Sequence, residues 1–152
     1  MSPGGPDFTH ARELFQQLFG RHTAHVALLD LDGNILAVNE AWNQFGQANG
    51  LRPGYVFERS NYVAVTQAAA EQSVDHDQSA RQALTGLVGV LSDAVGQFSM
   101  VYPCHSPTER RWYRLWVESQ QPKVPAVVVA HTFLSDMPPP GTANGRPPTL
   151  PA

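Results

Sequence analysis

A chain of 152 residues with 42% apolar and 15% charged residues is one domain's worth of soluble, globular material, able to bury one core but too short for two. Its formal charge of −3, with ten basic residues scattered along the chain, leaves no electrostatic footprint for nucleic acid. A single cysteine excludes an intramolecular disulfide framework and a CxxC zinc site, and no apolar run approaches the roughly 20 residues that span a bilayer. The amino terminus lacks the basic-then-apolar order of a signal peptide, so the expected location is the cytoplasm, with no membrane partner.

Residues 1–22 begin with MSPGGP and continue into a stretch with Phe8, Ala11, Phe15, Leu18 and Phe19 at helical spacing. This is an amphipathic helix that Gly20 ends. AHVALLDLDGNILAVN then reads as an apolar run, an Asp-Gly-Asn turn and a second apolar run, the signature of a β-hairpin. Asn39 is a candidate N-cap for EAWNQFGQAN, whose Ala41, Trp42, Phe45 and Ala48 share one stripe.

After the loop LRPGYVFERS comes a helical stretch from Tyr62 to Gln72. A longer helix follows from about Asp75, with Ala80, Ala83, Leu84, Leu87, Val88 and Leu91 along one face. Gly86 and Gly89 weaken it by about 1 kcal/mol each relative to alanine, so packing must compensate. Three strands, GQFSMVYP, RRWYRLWVES and VPAVVVAHTF, close a domain over residues 23–135. Residues 136–152, rich in proline and glycine, cannot build an apolar face and read as a disordered tail or linker.

The order helix, two strands, helices, three strands argues for an α+β domain with a five-stranded, mostly antiparallel sheet. In the fourth strand Tyr113, Leu115 and Val117 alternate with Trp112, Arg114 and Trp116. In the fifth, Ala126, Val128 and Ala130 alternate with Val127, Val129 and His131. Both phases are largely apolar, so both faces of the sheet need cover. The inserted helices shield one; the N-terminal helix, a partner or both must shield the other. A homodimer through Phe8, Phe15, Leu18, Phe19, Trp112 and Trp116 is the expectation, with a monomeric cap by the same helix as its competitor.

LLDLDGNILAVNEAWNQF resembles the opening of the PAS domain, the small sensory module of bacterial signalling proteins, with Asp32 and Gly33 at the hairpin turn and Asn39 starting the next helix. NYVAVTQAA at 61–69 together with YPCHSPTERRWY at 102–113 is similar to a PAS subset found near the front of histidine kinases and diguanylate cyclases. The resemblance spans roughly residues 24–135. It implies strand order 2-1-5-4-3, helices over a small cavity, and coupling of a ligand or partner state to an output protein such as a histidine kinase or diguanylate cyclase. No kinase, cyclase or DNA-binding segment follows residue 135, so the expectation is a chain that acts on a separate partner or is a sensory piece whose output lies elsewhere.

A small-molecule site is expected between the inner sheet face and the inserted helices, walled by Trp42, Phe45, Tyr55, Phe57, Tyr62, Leu84, Leu87 and Phe98. These are also ordinary core residue types. The resemblance leaves the ligand open, since PAS cavities hold haem, flavin, small metabolites or nothing. His76 is the only histidine near the long helix that supplies an axial ligand in haem-binding relatives, but it precedes the apolar stripe, and an empty or metabolite-binding cavity is the first expectation. No cysteine stands where flavin photosensors carry theirs.

Cys104 and His105 are adjacent, so in an extended segment they point to opposite faces and cannot form a nucleophile and base pair with each other. Pro103 ends strand pairing there and Ser106, Pro107 and Thr108 form a turn; a cofactor-binding or redox-sensing thiol is the alternative. Asp75, His76 and Asp77 fan out around a helix rather than converging on a metal, and the aspartates suit a helix cap. Phosphate loops, catalytic serine orders and H-E-x-x-H spacings are absent, so no enzymatic activity is expected.

Overall fold

The computed structural model describes residues 7–48, 56–72, 78–103 and 111–135. Within them the chain runs α1 (Thr9–Phe19), β1 (His25–Asp30), β2 (Ile35–Val38), α2 (Glu40–Ala48), a 3₁₀ turn (Phe57–Arg59), α3 (Tyr62–Gln72), α4 (Ser79–Leu91), β3 (Gln97–Pro103), β4 (Trp112–Ser119) and β5 (Ala126–Ser135). The five strands form one antiparallel sheet in the order β2-β1-β5-β4-β3. The 3₁₀ turn falls where the sequence reads as loop, and the start expected for α4 near Asp75 and the tail 136–152 lie outside the described residues.

Strand alternation sorts the side chains into two cores. Ala27, Leu29, Leu115, Val117, Val127 and Val129 face the inserted helices and join Leu87 and Val90 of α4. Val26, Leu28, Leu36, Ala37 and Ala126 face the other way and enclose Phe15 of α1, which is only 3% exposed. The N-terminal helix therefore covers part of the outer sheet face of its own chain. Two of its polar side chains reach the main chain of edge strand β2: Arg12 Nε donates to the Leu36 carbonyl at 3.1 Å and Gln16 Nε2 to the Val38 carbonyl at 3.1 Å. Occupying an edge strand's carbonyls in this way also blunts it against pairing with another chain.

Asn39 does more than begin α2. Fully buried, it accepts the Trp42 N–H at 3.0 Å as an N-cap and the Val26 N–H at 3.1 Å. Its amide donates to the carbonyls of Phe19 at 2.9 Å and Ala24 at 2.8 Å. One side chain thus fixes the end of α1, the start of β1 and the start of α2.

The hairpin turn is organised by Asp30 rather than by Asp32. Asp30 Oδ1 accepts the N–H groups of Asp32 and Asn34, each at 2.9 Å, while Gly33 sits at φ +89°. That φ is left-handed, and a Cβ on Gly33 would lie 2.5 Å from Val63 Cγ2. Asn61 then clamps the turn from outside: its Nδ2 donates to the Asp32 carbonyl at 3.0 Å and to Asn34 Oδ1 at 2.9 Å. Its Oδ1 accepts the Ala64 N–H at 3.0 Å, capping α3.

Candidate functional site

Between the inner sheet face and the helices lies a cavity of about 270 Å³, lined by His25, Trp42, Phe45, Gly46, Phe57, Tyr62, Tyr102 and His131. That is just below the ~300–1,000 Å³ typical of small-molecule sites. Each wall is placed by a local device. Tyr62 opens α3 directly after the Asn61 cap, and its own N–H donates to the Gly33 carbonyl at 2.8 Å, so the hairpin turn positions its ring. Trp42 sits one turn into α2, held by the Asn39 cap. Phe57 belongs to the 3₁₀ turn, closed by the Ser60 N–H on its carbonyl at 2.8 Å. His25, Tyr102 and His131 come from β1, β3 and β5 on the inward phase, and His25 is the direct cross-strand partner of His131.

The walls are mainly rings meeting edge to face. Trp42 meets Phe57 at 90° with centroids 6.1 Å apart and His131 at 63° and 5.6 Å, while Tyr102 meets His131 at 83° and 5.7 Å. His25 and Phe45 close one end, their centroids 4.4 Å apart. Such tilted and edge contacts suit the quadrupoles of aromatic rings.

One polar cluster stands in this apolar enclosure. The Tyr62 hydroxyl lies 2.8 Å from His131 Nε2 and the Tyr102 hydroxyl 2.6 Å from His131 Nδ1. Burial first, and repulsion from His25 second, depress the His131 pKa to about 3, so its imidazole is neutral at physiological pH. Burial lowers His25 as well, and it pushes the Tyr62 phenol well above the usual tyrosine range. The cavity therefore presents neutral hydrogen-bonding groups, with no formal charge among its described lining residues.

Of the side chains expected to wall a pocket, Trp42, Phe45, Phe57 and Tyr62 line this cavity. Leu87 is instead sealed in the core at 1% exposure, Phe98 packs against that core, and Leu84 is half-buried away from the cavity. Tyr55 lies outside the described residues, as do Asp75, His76, Asp77, Cys104 and His105. The haem alternative through His76 thus falls on a segment not described, and His131 has both ring nitrogens engaged by phenols. Among the described residues no group of three or more His, Cys, Asp or Glu side chains is arranged to hold a metal.

His25, Gly46, Tyr102 and His131 were not reached from the sequence as cavity residues. The signal for His131 is its place on the Val127 and Val129 phase of β5, where a histidine interrupts an apolar row. Of the expected dimer residues, Phe15 is buried within its own chain, a correction to its assignment there: α1 lies on its own sheet. Phe8 and Phe19 pack against the same cluster, Leu18 is 61% exposed, and Trp112 and Trp116 are partly exposed on the outer phase of β4.

This arrangement, an antiparallel sheet in the order 2-1-5-4-3 with helices over one face, can be set against known structures. The PAS domain of BvgS from Bordetella pertussis superposes with a TM-score of 0.56 over 84% of this chain and 88% of that one, at 12% identity. The chain folds as a PAS domain. A PAS domain of an HTR-like protein from Haloarcula marismortui is similar at 17% identity, covering 82% of this chain and 98% of that one with a TM-score of 0.43. No family model matches the sequence. In sequence the PAS chain is similar to an uncharacterised 104.1 kDa protein of the hypE 3′ region of Rhodobacter capsulatus, 33% identical over 129 residues. The match takes in 82% of this chain and spans 13% of that protein's length. Among the described residues no helix is long and apolar enough to cross a membrane.

Proposed function

We propose that this PAS domain is a non-catalytic sensory module that binds a small molecule in its aromatic cavity and relays the occupied state to an output protein such as a histidine kinase or diguanylate cyclase. The observation that carries the reading is the cavity itself, a concave, ring-walled site with a few convergent polar groups. Its described lining supports binding rather than chemistry: among the described residues it holds no carboxylate, thiol or serine hydroxyl, and the imidazole of His131 is occupied at both nitrogens. The Rhodobacter relative supports a modular role, because the matching segment is a small part of a much longer chain.

Native mass spectrometry of the gently purified protein tests the reading directly, by reporting a retained small molecule or its uptake from a mixture of fragments. The variant Gly46→Leu, which puts a branched side chain on the cavity wall, should abolish uptake. Uptake unchanged in that variant, or ligand-induced amide-exchange shifts confined to α1, would place binding elsewhere and sink the proposal.

A further inference from the structure

Resting on that reading, we infer that the ligand is an uncharged molecule of two fused flat rings, held in a slot that Gly46 leaves open beneath the backbone of α2. A glycine inside a helix weakens it, so a buried one needs a reason. Gly46 lies within α2 and is buried. Backbone conformation does not supply the reason, because among the described residues only Gly33 takes a positive φ. What the missing side chain leaves open is the cavity, whose wall Gly46 helps to form.

Helix geometry fixes its neighbours. Trp42 stands one turn before Gly46 on the same face, and Phe45 stands beside it, both lining the cavity. Both rings reach across to the sheet: Trp42 lies 5.6 Å from His131 and Phe45 4.4 Å from His25, centroid to centroid. His25 and His131 are direct cross-strand partners, so the two rings come down on adjacent strands at one level. They act as pillars between α2 and the sheet, and at Gly46 the helix contributes main chain alone. The result is a slot roofed by backbone, floored by the strands and bounded by rings.

A slot of that form takes a thin occupant, whose face lies on the α2 backbone and whose edges meet the surrounding rings in the tilted and edge-on contacts that aromatic quadrupoles favour. Its size follows from the volume. A cavity of roughly 150 Å³ takes up one benzene, so the cavity of about 270 Å³ suits a second ring fused to the first. No formal charge stands among the described lining residues, so an ion would lose its hydration without a counter-charge.

Two probes with one skeleton and one hydroxyl test the slot by amide chemical-shift titration of the full chain: 2-naphthol, which is flat, and decahydro-2-naphthol, which is thick. Burial of apolar surface alone does not favour the flat probe. The slot should bind it at least about tenfold more tightly, because the puckered rings of the saturated probe overpack it. Gly46→Ala hangs one methyl into the slot. It should weaken binding of the flat probe about tenfold or more, while raising the melting temperature of the unliganded chain by about 2–5 °C, since alanine is the better helix former. Equal or tighter binding of the saturated probe, or binding of the flat probe that Gly46→Ala leaves unchanged, overturns the slot and leaves the cavity a ligand site. A Gly46→Ala variant that loses stability or fails to fold overturns it as well, because the methyl would then meet packed atoms instead of open space. If neither probe shifts a cavity residue, the cavity reading itself falls and the inference with it.

Discussion

Gly86 on α4 lies directly against the ring of Phe98 on β3: a Cβ built on the glycine would come within 2.3 Å of the phenyl carbons. The helix gives up intrinsic stability here so that its backbone can approach the sheet. Gly89, one residue short of the next turn, has no such neighbour, since its Cβ would meet only Val95 Cγ2 at an ordinary 3.5 Å. The two glycines therefore answer differently to the same change. Gly86→Ala should destabilise the domain by about 1–3 kcal/mol through overpacking, whereas Gly89→Ala should stabilise it by about 0.5–1 kcal/mol. Denaturant unfolding of both variants checks this, and the same sign for both would refute the close-approach account.

Asn61 joins the cap of α3 to the hairpin turn, so its loss should cost more than a cap alone. Asn61→Ala is expected to lower stability by about 1–2 kcal/mol and to perturb the amide signals of Asn34 and Tyr62 together. Asn61→Asp keeps an acceptor for the Ala64 N–H but not the donors to Asp32 and Asn34, so it should fall between wild type and alanine. A variant as stable as wild type would show that the clamp contributes nothing.

Acid should weaken the fold through His131. Its pKa is near 6.5 in the unfolded chain and about 3 in the folded one. Between those values the unfolded state binds the additional proton. The contribution is complete above about pH 6.5 and is lost as the pH falls towards 3, with a limiting slope of about 1.4 kcal/mol per pH unit. His25, lowered by burial, acts in the same direction. Stability measured from pH 7 to pH 4 should therefore fall less steeply in His131→Gln than in wild type; parallel curves would mean that His131 titrates normally.

Phe15 and Leu18 separate an intrachain cap from an intermolecular contact. Phe15→Ala should cost about 3 kcal/mol or more by emptying a core site, independently of protein concentration, whereas Leu18→Ala at an exposed position should change stability by less than about 0.5 kcal/mol. A loss in Phe15→Ala that disappears at high protein concentration would mean that α1 packs on a second copy. Sedimentation of the full chain over the same concentrations reports whether the exposed Leu18 face, or the half-exposed Trp112 and Trp116, associates at all.

The strands were the most legible part of the fold. Alternation in RLWV and AVVV separated the side chains of β4 and β5 into two phases, which lie on opposite faces of the sheet, although with both phases apolar it did not say which one faces the inserted helices. The cap at Asn39 was visible as a local signal, but its bonds to Phe19 and Ala24 were not, since they close loops of 20 and 15 residues. The cavity was only half legible for the same reason. Trp42 and Phe45 lie on one helical stripe, but the partners of His131 stand 69 and 29 residues away. An apolar residue type marks an inward face without its depth, which is why Leu87 on α4 and Phe98 on β3 resembled cavity walls, whereas Leu87 fills the core and Phe98 packs against it.

The amide protons of Val26 and Trp42 point at the same oxygen, Asn39 Oδ1, although one begins a strand and the other a helix. Neither can be released to solvent by a motion that keeps the Asn39 side chain in place, so their protection from hydrogen exchange is set largely by one shared opening. Trp42 is also a wall of the cavity. The exchange rate at Val26, which faces the outer core and does not itself line the cavity, thus becomes an indirect gauge of how firmly that wall is seated.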